Sequence, residues 1–420
     1  MIQTYQSSNP WSNRRGYKDL GTLLIFFFIW PFGAWLYSLY EANKRSSYVI
    51  FFMFSLLLCW HMSPVDGAEM YDDFIGIMQR FKTSSFSTYE IIYQIQSFFT
   101  FSDDAPKELY ENIVIWFVKG FTNNYHFYFL LCAIPVAYCQ LKSLKRITQD
   151  VRYRPHKWFA IAIMIMFIFP RDIITVQNPR FTTGFWICIL CSLNYFCDEK
   201  KNLLKILPIL ITPLIHSGMW LYVIIVGIYL VFPKRIRLLE ILAIISIPFA
   251  FLDSGIFHSI DLSAYLPEFL YKWSLSYLDQ ERIQGSGFWW IAASFTIAVK
   301  VMYTYMTWMM IKEKEKVVEN VESKNFYPFY LLLFSVVNVL QSVPVLGERY
   351  YWYIKIFALF VWFKAFFPSH KKIIFCLLAA NLWGFVFRYG YVFGGALSAT
   401  TPIDIFITPL PYLMGKGLFW

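Results

Sequence analysis

Charge is the scarcest property of this 420-residue chain: Asp, Glu, Lys and Arg together make up 15% of it. Soluble domains carry about 25%, and the shortage stands beside 58% apolar residues and a mean hydropathy of +0.47, which speaks against a soluble globular protein. A disulfide framework is also missing. The seven cysteines, at 59, 132, 139, 188, 191, 197 and 376, all lie in or beside apolar runs, and their odd number and irregular spacing argue against structural bridges. Cys188 and Cys191 have CxxC spacing, but in mid-run and with no histidine nearby, so zinc or redox use is not expected. There is no GxxxxGK[ST] string, which speaks against an ATP-driven pump, and neither HExxH nor GxSxG occurs. No internal repeat, heptad or low-complexity tract stands out. The start of the chain shows no leader with a small-residue cleavage site, so the first apolar run is expected to stay in the mature protein.

What the chain has in abundance is aromatic and aliphatic runs. Phe, Tyr and Trp make up 21% of it. A bilayer-spanning helix needs roughly 20 mostly apolar residues. Candidates lie at about 20–39, 48–62, 124–141, 157–170, 181–197, 203–215, 218–232, 238–252, 288–311, 326–343, 350–367 and 373–387, with a proline-broken stretch at 391–413. The expected fold is therefore all-α: a polytopic membrane protein of about 12–13 transmembrane helices, with residues 1–420 forming one integral membrane domain. Several runs shorter than about 20 residues suggest bent helices or half-spans.

The net charge of +10 matters less than where it falls, and it is not read as a nucleic-acid footprint. Loop 142–157 holds six Lys or Arg against Asp150, residues 233–238 hold three with no acid, and 364–372 hold Lys364, Lys371 and Lys372. Loop 63–111 carries nine acids against three basic residues, and loop 253–287 carries five against two. Lys/Arg excess marks cytoplasmic loops, so 63–111, expected to contain short helices, and 253–287 are placed outside. Arg14, Arg15 and Lys18 conflict with the parity of spans, a conflict that a re-entrant first segment would resolve.

With that orientation, several polar groups fall at outer span ends: Asp66 and Tyr71; Arg171; Asn178-Pro179-Arg180; His216-Ser217-Gly218; and Gly347-Glu348-Arg349-Tyr350-Tyr351. An ionisable side chain at membrane depth costs on the order of 3 kcal/mol, so it usually pairs or lines a cavity. Guanidinium groups bind phosphate oxygens bidentately and keep their charge. An Asp or His can take a proton from a sugar hydroxyl. The plainer readings are arginines that snorkel or pair with acids, and a His216 that merely completes a helix end. Asp72-Asp73 and Asp103-Asp104 read as solvated acids rather than a metal site.

Asp66 followed by Tyr71 in an acidic outer loop, Asn178-Pro-Arg180-Phe-Thr-Thr-Gly, Ile215-His216-Ser217-Gly218 and Glu348-Arg349-Tyr350-Tyr351 stand in an order and at a spacing that resemble the EpsG/Wzy-type polysaccharide polymerases. The resemblance implies a GT-C-like helical bundle in the bacterial inner membrane. It would join undecaprenyl-diphosphate-linked oligosaccharide units into O-antigen, capsular or exopolysaccharide chains, with the active site facing the periplasm. Carried onto this chain, Arg180 and Arg349 would hold the donor diphosphate, with Arg171 as a further candidate. Asp66 or His216 would deprotonate the acceptor hydroxyl, and Tyr71 and Tyr350 would contact the sugars. No metal or cofactor is implied. The partners implied are membrane lipids, the lipid-linked oligosaccharide and a chain-length regulator protein. An O-antigen ligase or other polyprenyl-linked sugar transferase, and a flippase for the same lipid, are the alternative readings.

Overall fold

Pro31 decides how the first apolar run folds. The structure is a computed structural model that describes residues 19–40, 44–60, 73–100, 102, 105–148, 156–168, 178–232, 235–251, 289–341, 343–387 and 408–413. In it the run forms two ten-residue helices, α1 (Leu20–Ile29) and α2 (Pro31–Tyr40). A proline has no N–H and pushes the preceding residue out of helical geometry. Trp30 accordingly sits at φ −149°, ψ 88°. Beyond α2, Lys44 Nζ pairs with Asp19 Oδ2 at 3.0 Å. An unbroken helix over both segments would be about 30 Å long, so that ion pair requires α2 to run back along α1. The outcome is a helical hairpin about 15 Å deep with both ends on one side. Leu23 and Phe27 face the core, while Ile25, Phe28 and Ile29 are exposed.

The chain continues through α3 (Arg45–Trp60), α4 (Asp73–Thr83), α5 (Thr88–Phe99), α6 (Tyr110–Lys119), α7 (His126–Thr148), α8 (Lys157–Ile168) and α9 (Pro179–Phe196). There follow α10 (Thr212–Ile215), α11 (Trp220–Val231), α12 (Ile236–Ser246), α13 (Trp289–Lys312), α14 (Lys314–Glu319), α15 (Val321–Leu340), α16 (Pro344–Phe366) and α17 (Lys371–Phe387). Among the described residues there is no strand, and the fold is all-α. The apolar stretch His126–Ile147, 22 residues, is the one helix among them long and apolar enough to cross a membrane by length and composition; Leu20–Ile29, Arg45–Trp60, Leu203–Ile215 and Ser217–Val231 are shorter apolar helical segments.

Two runs depart from a plain span. Residues 203–215 form 3-10 turns at Leu203–Lys205 and Leu207–Ile211 and a single α-turn, α10. Pro208 and Pro213 each remove a hydrogen-bond donor, so a regular ladder cannot run through them. In the acidic loop 63–111, by contrast, α4, α5 and the start of α6 bring regular structure to a polar segment. Helix α5 is fixed by a capping box in which Ser87 and Glu90 exchange hydrogen bonds.

Helix α16 is the hub. Tyr353, Ile354, Ile356, Phe357, Ala358 and Leu359 are fully buried around its whole circumference, as expected of a helix apolar on every side. It packs against α15 and carries Tyr353 onto Tyr222 of α11 (4.5 Å between ring centroids) and Phe185 of α9 (4.3 Å).

Two ionic clusters mark the ends of this core. At one end Arg180 lies in the first turn of α9, and Arg349 in the second turn of α16. At the other, Arg146 of α7 pairs with Asp198 at 3.0 Å and Glu322 at 2.9 Å, and Lys364 of α16 pairs with Glu322 at 2.6 Å. From Arg180 to Asp198 the chain advances about 27 Å, and from Arg349 to Lys364 about 22 Å, at 1.5 Å per helical residue. Trp60 rings against His126 at the start of α7 (5.5 Å), so α3 runs opposite to α7 and begins, beside the base of the α1–α2 hairpin, at the Arg146 end.

Candidate functional site

Helix α9 starts with Asn178 as N-cap, its side-chain oxygen accepting the Phe181 N–H at 3.1 Å, and Pro179 occupies the first helical position. This cap fixes Arg180 and Phe181 at the helix mouth. One turn further in, a Cβ on Gly184 would lie 3.1 Å from Met219 Cγ, so the missing side chain lets the 217–219 turn settle on α9.

His216 stands in the break between α10 and that turn, with extended backbone (φ −151°, ψ 122°). Its Nδ1 accepts the Gly218 N–H at 2.9 Å. A neutral imidazole whose Nδ1 accepts must carry its proton on Nε2. His216 therefore offers the site a hydrogen-bond donor. In that tautomer Nε2 donates rather than accepts, which differs from the expectation that His216 takes the acceptor's proton. The plainer reading of His216 also has a footing here, because the same bond closes the turn.

Three further residues, absent from the sequence-based site, build the electrostatics. Glu108 Oε1 accepts both the backbone N–H and the hydroxyl of Ser217, each at 3.1 Å, and lies 3.7 Å from His216 Nδ1. Its Oε2 forms an ion pair with Arg180 Nη1 at 2.9 Å. Glu111 Oε2 reaches the same guanidinium nitrogen at 3.2 Å, and Arg80 grips Glu111 with two bonds, at 2.5 and 3.3 Å. The Glu111 side chain is 6% exposed and that of Glu108 12%, against 22% for Arg180. Carboxylates this buried are held only if paired. The Glu108 segment is docked by the Leu109 N–H, which donates to Leu214 O at 2.9 Å. Nothing local in the sequence singles out these acids: Glu108 lies before the N-cap of α6 and Glu111 in its first turn, within a loop of nine acids.

Arg349 joins from α16. Its guanidinium carbon lies 5.5 Å from the centroid of the Phe181 ring, within cation–π range. Phe181 in turn meets the His216 ring edge-on at 5.3 Å and Trp352 at 5.7 Å. A Cβ on Gly347 would fall 2.3 Å from the Leu340 carbonyl oxygen, so only glycine permits the close approach between the end of α15 and the first turn of α16 that sets the position of Arg349. Gln341 Nε2 donates to Gly347 O at 2.6 Å and closes that turn.

Arg180, His216 and Arg349, separated by up to 169 positions in the chain, are thus brought together around Phe181. Tyr350 is placed differently from the expectation that it contacts sugar. It is fully buried, and its hydroxyl donates to Gly218 O at 2.6 Å. It is a strut that ties α16 to the His216 turn, because a side chain with no exposed surface cannot meet a sugar. Asp66, Tyr71 and Arg171 lie outside the described residues. Among the described residues no three His, Cys, Asp or Glu side chains gather as a metal site. Cys188 is buried with its Sγ 3.6 Å from Thr212 Oγ1, a packing role. No family model, curated protein or solved structure matches the chain.

Proposed function

We infer that the chain is a polytopic inner-membrane glycosyltransferase that joins lipid-diphosphate-linked oligosaccharide units, a polysaccharide polymerase working on the non-cytosolic side. The observation that carries this reading is the gathering of Arg180, Arg349 and His216 at one end of the bundle around Phe181. Two fixed cations and a hydrogen-bond donor are what a departing diphosphate requires.

The membrane reading draws support from the spacing of the two ionic clusters. About 22–27 Å along α16 and α9 approaches the roughly 30 Å hydrocarbon thickness of a bilayer. Between those levels Ile241, Leu242, Ile245, Ile297 and Val301 are exposed apolar side chains, a surface that suits lipid better than water. The cationic end then faces the cytosol, following the excess of Lys and Arg in the loops 142–157, 233–238 and 364–372. The α1–α2 hairpin, half a bilayer deep, enters and leaves on that same side. The apolar runs of the sequence are read as about 12–13 spans.

In the reaction, an acceptor sugar hydroxyl attacks the anomeric carbon of the donor unit as the bond from that carbon to the diphosphate oxygen breaks. Undecaprenyl diphosphate leaves with the bonding electron pair. Arg180 and Arg349 neutralise the charge that develops on it, and the Nε2–H of His216 donates to the same anion. Asp66 takes the hydroxyl proton and passes it to water. Purified full-length protein in nanodiscs, supplied with a defined undecaprenyl-diphosphate oligosaccharide, is expected to produce lipid-linked dimers and longer chains, with one undecaprenyl diphosphate released per linkage. Mass spectrometry that finds only unchanged substrate, single-sugar additions or transfer to a different acceptor overturns the polymerase reading.

A further inference from the structure

Arg180 is met by two carboxylates of unequal freedom. Glu111 shares its charge with the two-bonded Arg80. Glu108 otherwise accepts the neutral N–H and hydroxyl of Ser217, with the imidazole of His216 at 3.7 Å, so the full positive charge closest to it is that of Arg180 at 2.9 Å. A cation meant to stabilise a leaving diphosphate does not ordinarily sit against a fixed anion, which weakens every other anion that approaches it. The arrangement makes sense for a site that must also let its anion go. Binding substrate, transition state and product equally tightly gives no gain in turnover, and a spent lipid diphosphate keeps the charge that held the donor.

We propose that Glu108 is a built-in counter-anion to Arg180 that sets the affinity of the site for diphosphate and so governs release of the lipid diphosphate product. This rests on the reading of Arg180 as a diphosphate ligand. Glu108 touches Arg180 and the Ser217 turn, and its effect on the reaction passes through that guanidinium. The charge is separable from the scaffold, because a glutamine amide oxygen can still accept from Ser217.

The test is calorimetric binding of inorganic diphosphate to the purified full-length protein, paired with steady-state polymerisation. Glu108→Gln is expected to tighten diphosphate binding roughly tenfold, the scale of one charge-assisted contact, and to lower kcat and KM together as product release becomes limiting. Adding Arg180→Ala to Glu108→Gln is expected to abolish the gain. Glu108→Asp, which keeps the charge but withdraws it by one methylene, is expected to tighten binding about two- to threefold, and it carries the test if the glutamine variant does not fold. Diphosphate binding that is unchanged or weaker in both Glu108 variants, while Arg180→Ala and Arg349→Ala reduce it, overturns the counter-anion and leaves the functional reading intact. Binding that none of these four substitutions changes overturns both.

Discussion

The two ionic clusters use the same residue types to opposite ends. At the Arg146 end the cations sit where helices finish: Arg146 in the last turn of α7 and Lys364 in the last turn of α16. There the carbonyl ends of the helices attract positive charge, and Lys364 Nζ donates to Arg146 O at 2.9 Å. Asp198, Glu322 and the Asn194 amide oxygen complete a closed set of partners. At the Arg180 end the cation sits in the first turn of α9, where the N–H end of a helix repels it. Two buried glutamates are needed to hold it there. A cation placed with the dipole reads as architecture; one placed against it, at the cost of two buried acids, reads as a group kept for chemistry.

That contrast is broken or sharpened by matched substitutions. Arg180→Ala is expected to lower polymerisation at least about 100-fold, the scale for removing one preorganised stabiliser of transition-state charge, as measured by turnover on lipid-linked substrate. Arg146→Met is expected to lower unfolding free energy by about 2 kcal/mol, since it leaves Asp198 and Glu322 short of a partner in a partly buried cluster, while kcat of the folded fraction stays within about threefold. If Arg146→Met removes turnover without lowering the melting temperature, the division into a structural and a chemical end is wrong.

His216 allows a finer cut, because its two nitrogens have different tasks. Asparagine can place an oxygen near the position of Nδ1 and keep the Gly218 cap, whereas glutamine can place an amide N–H near Nε2 and lose it. His216→Asn is therefore expected to melt near the parent temperature with turnover down about tenfold or more. His216→Gln is expected to lose about 1 kcal/mol of stability, the value of a cap, and to keep more activity than the asparagine variant. The reverse order, with a pH-rate profile that loses a limb in both variants, would restore His216 as the base.

The helices were legible wherever a run carried no interior proline. The edges of the runs at 181–197 and 373–387 fall within two residues of α9 and α17. Pro31, Pro208 and Pro213 stand inside apolar runs, but whether such a proline bends, unwinds or reverses a helix depends on partners far along the chain, such as the Asp19–Lys44 pair that shows the reversal. Arg180, His216 and Arg349 stood out because polar groups are rare in apolar runs. Glu108 and Glu111 did not, because a loop with nine acids offers no local sign of which ones become buried. Their role follows from long-range packing of α6 beside α10, which no window of sequence contains. Tyr350 is placed apart from its neighbour for the complementary reason: a tyrosine next to an arginine on a helix points about 100° away from it, here into the core.

The smallest effect expected separates the clusters by acid. Burial raises the Asp198 carboxyl, but hydrogen bonds from Lys205 and Arg146, with their charges, outweigh it and hold the group below its ordinary value of 3.8. A group whose folded value lies below its unfolded one stabilises the protein above the unfolded value, and that contribution disappears as pH falls through the folded value. Melting temperatures of the detergent-solubilised protein are therefore expected to be flat with respect to Asp198 from neutral pH down to about 4 and to fall below it. Asp198→Asn should lower the neutral plateau by about 1 kcal/mol, discounted for an aspartate side chain about a quarter exposed, and should shrink the acid limb. A plateau and acid limb identical to the parent's would mean that Asn194 and Glu322 hold Arg146 without Asp198, and that the Arg146 cluster is less interdependent than its bonding suggests.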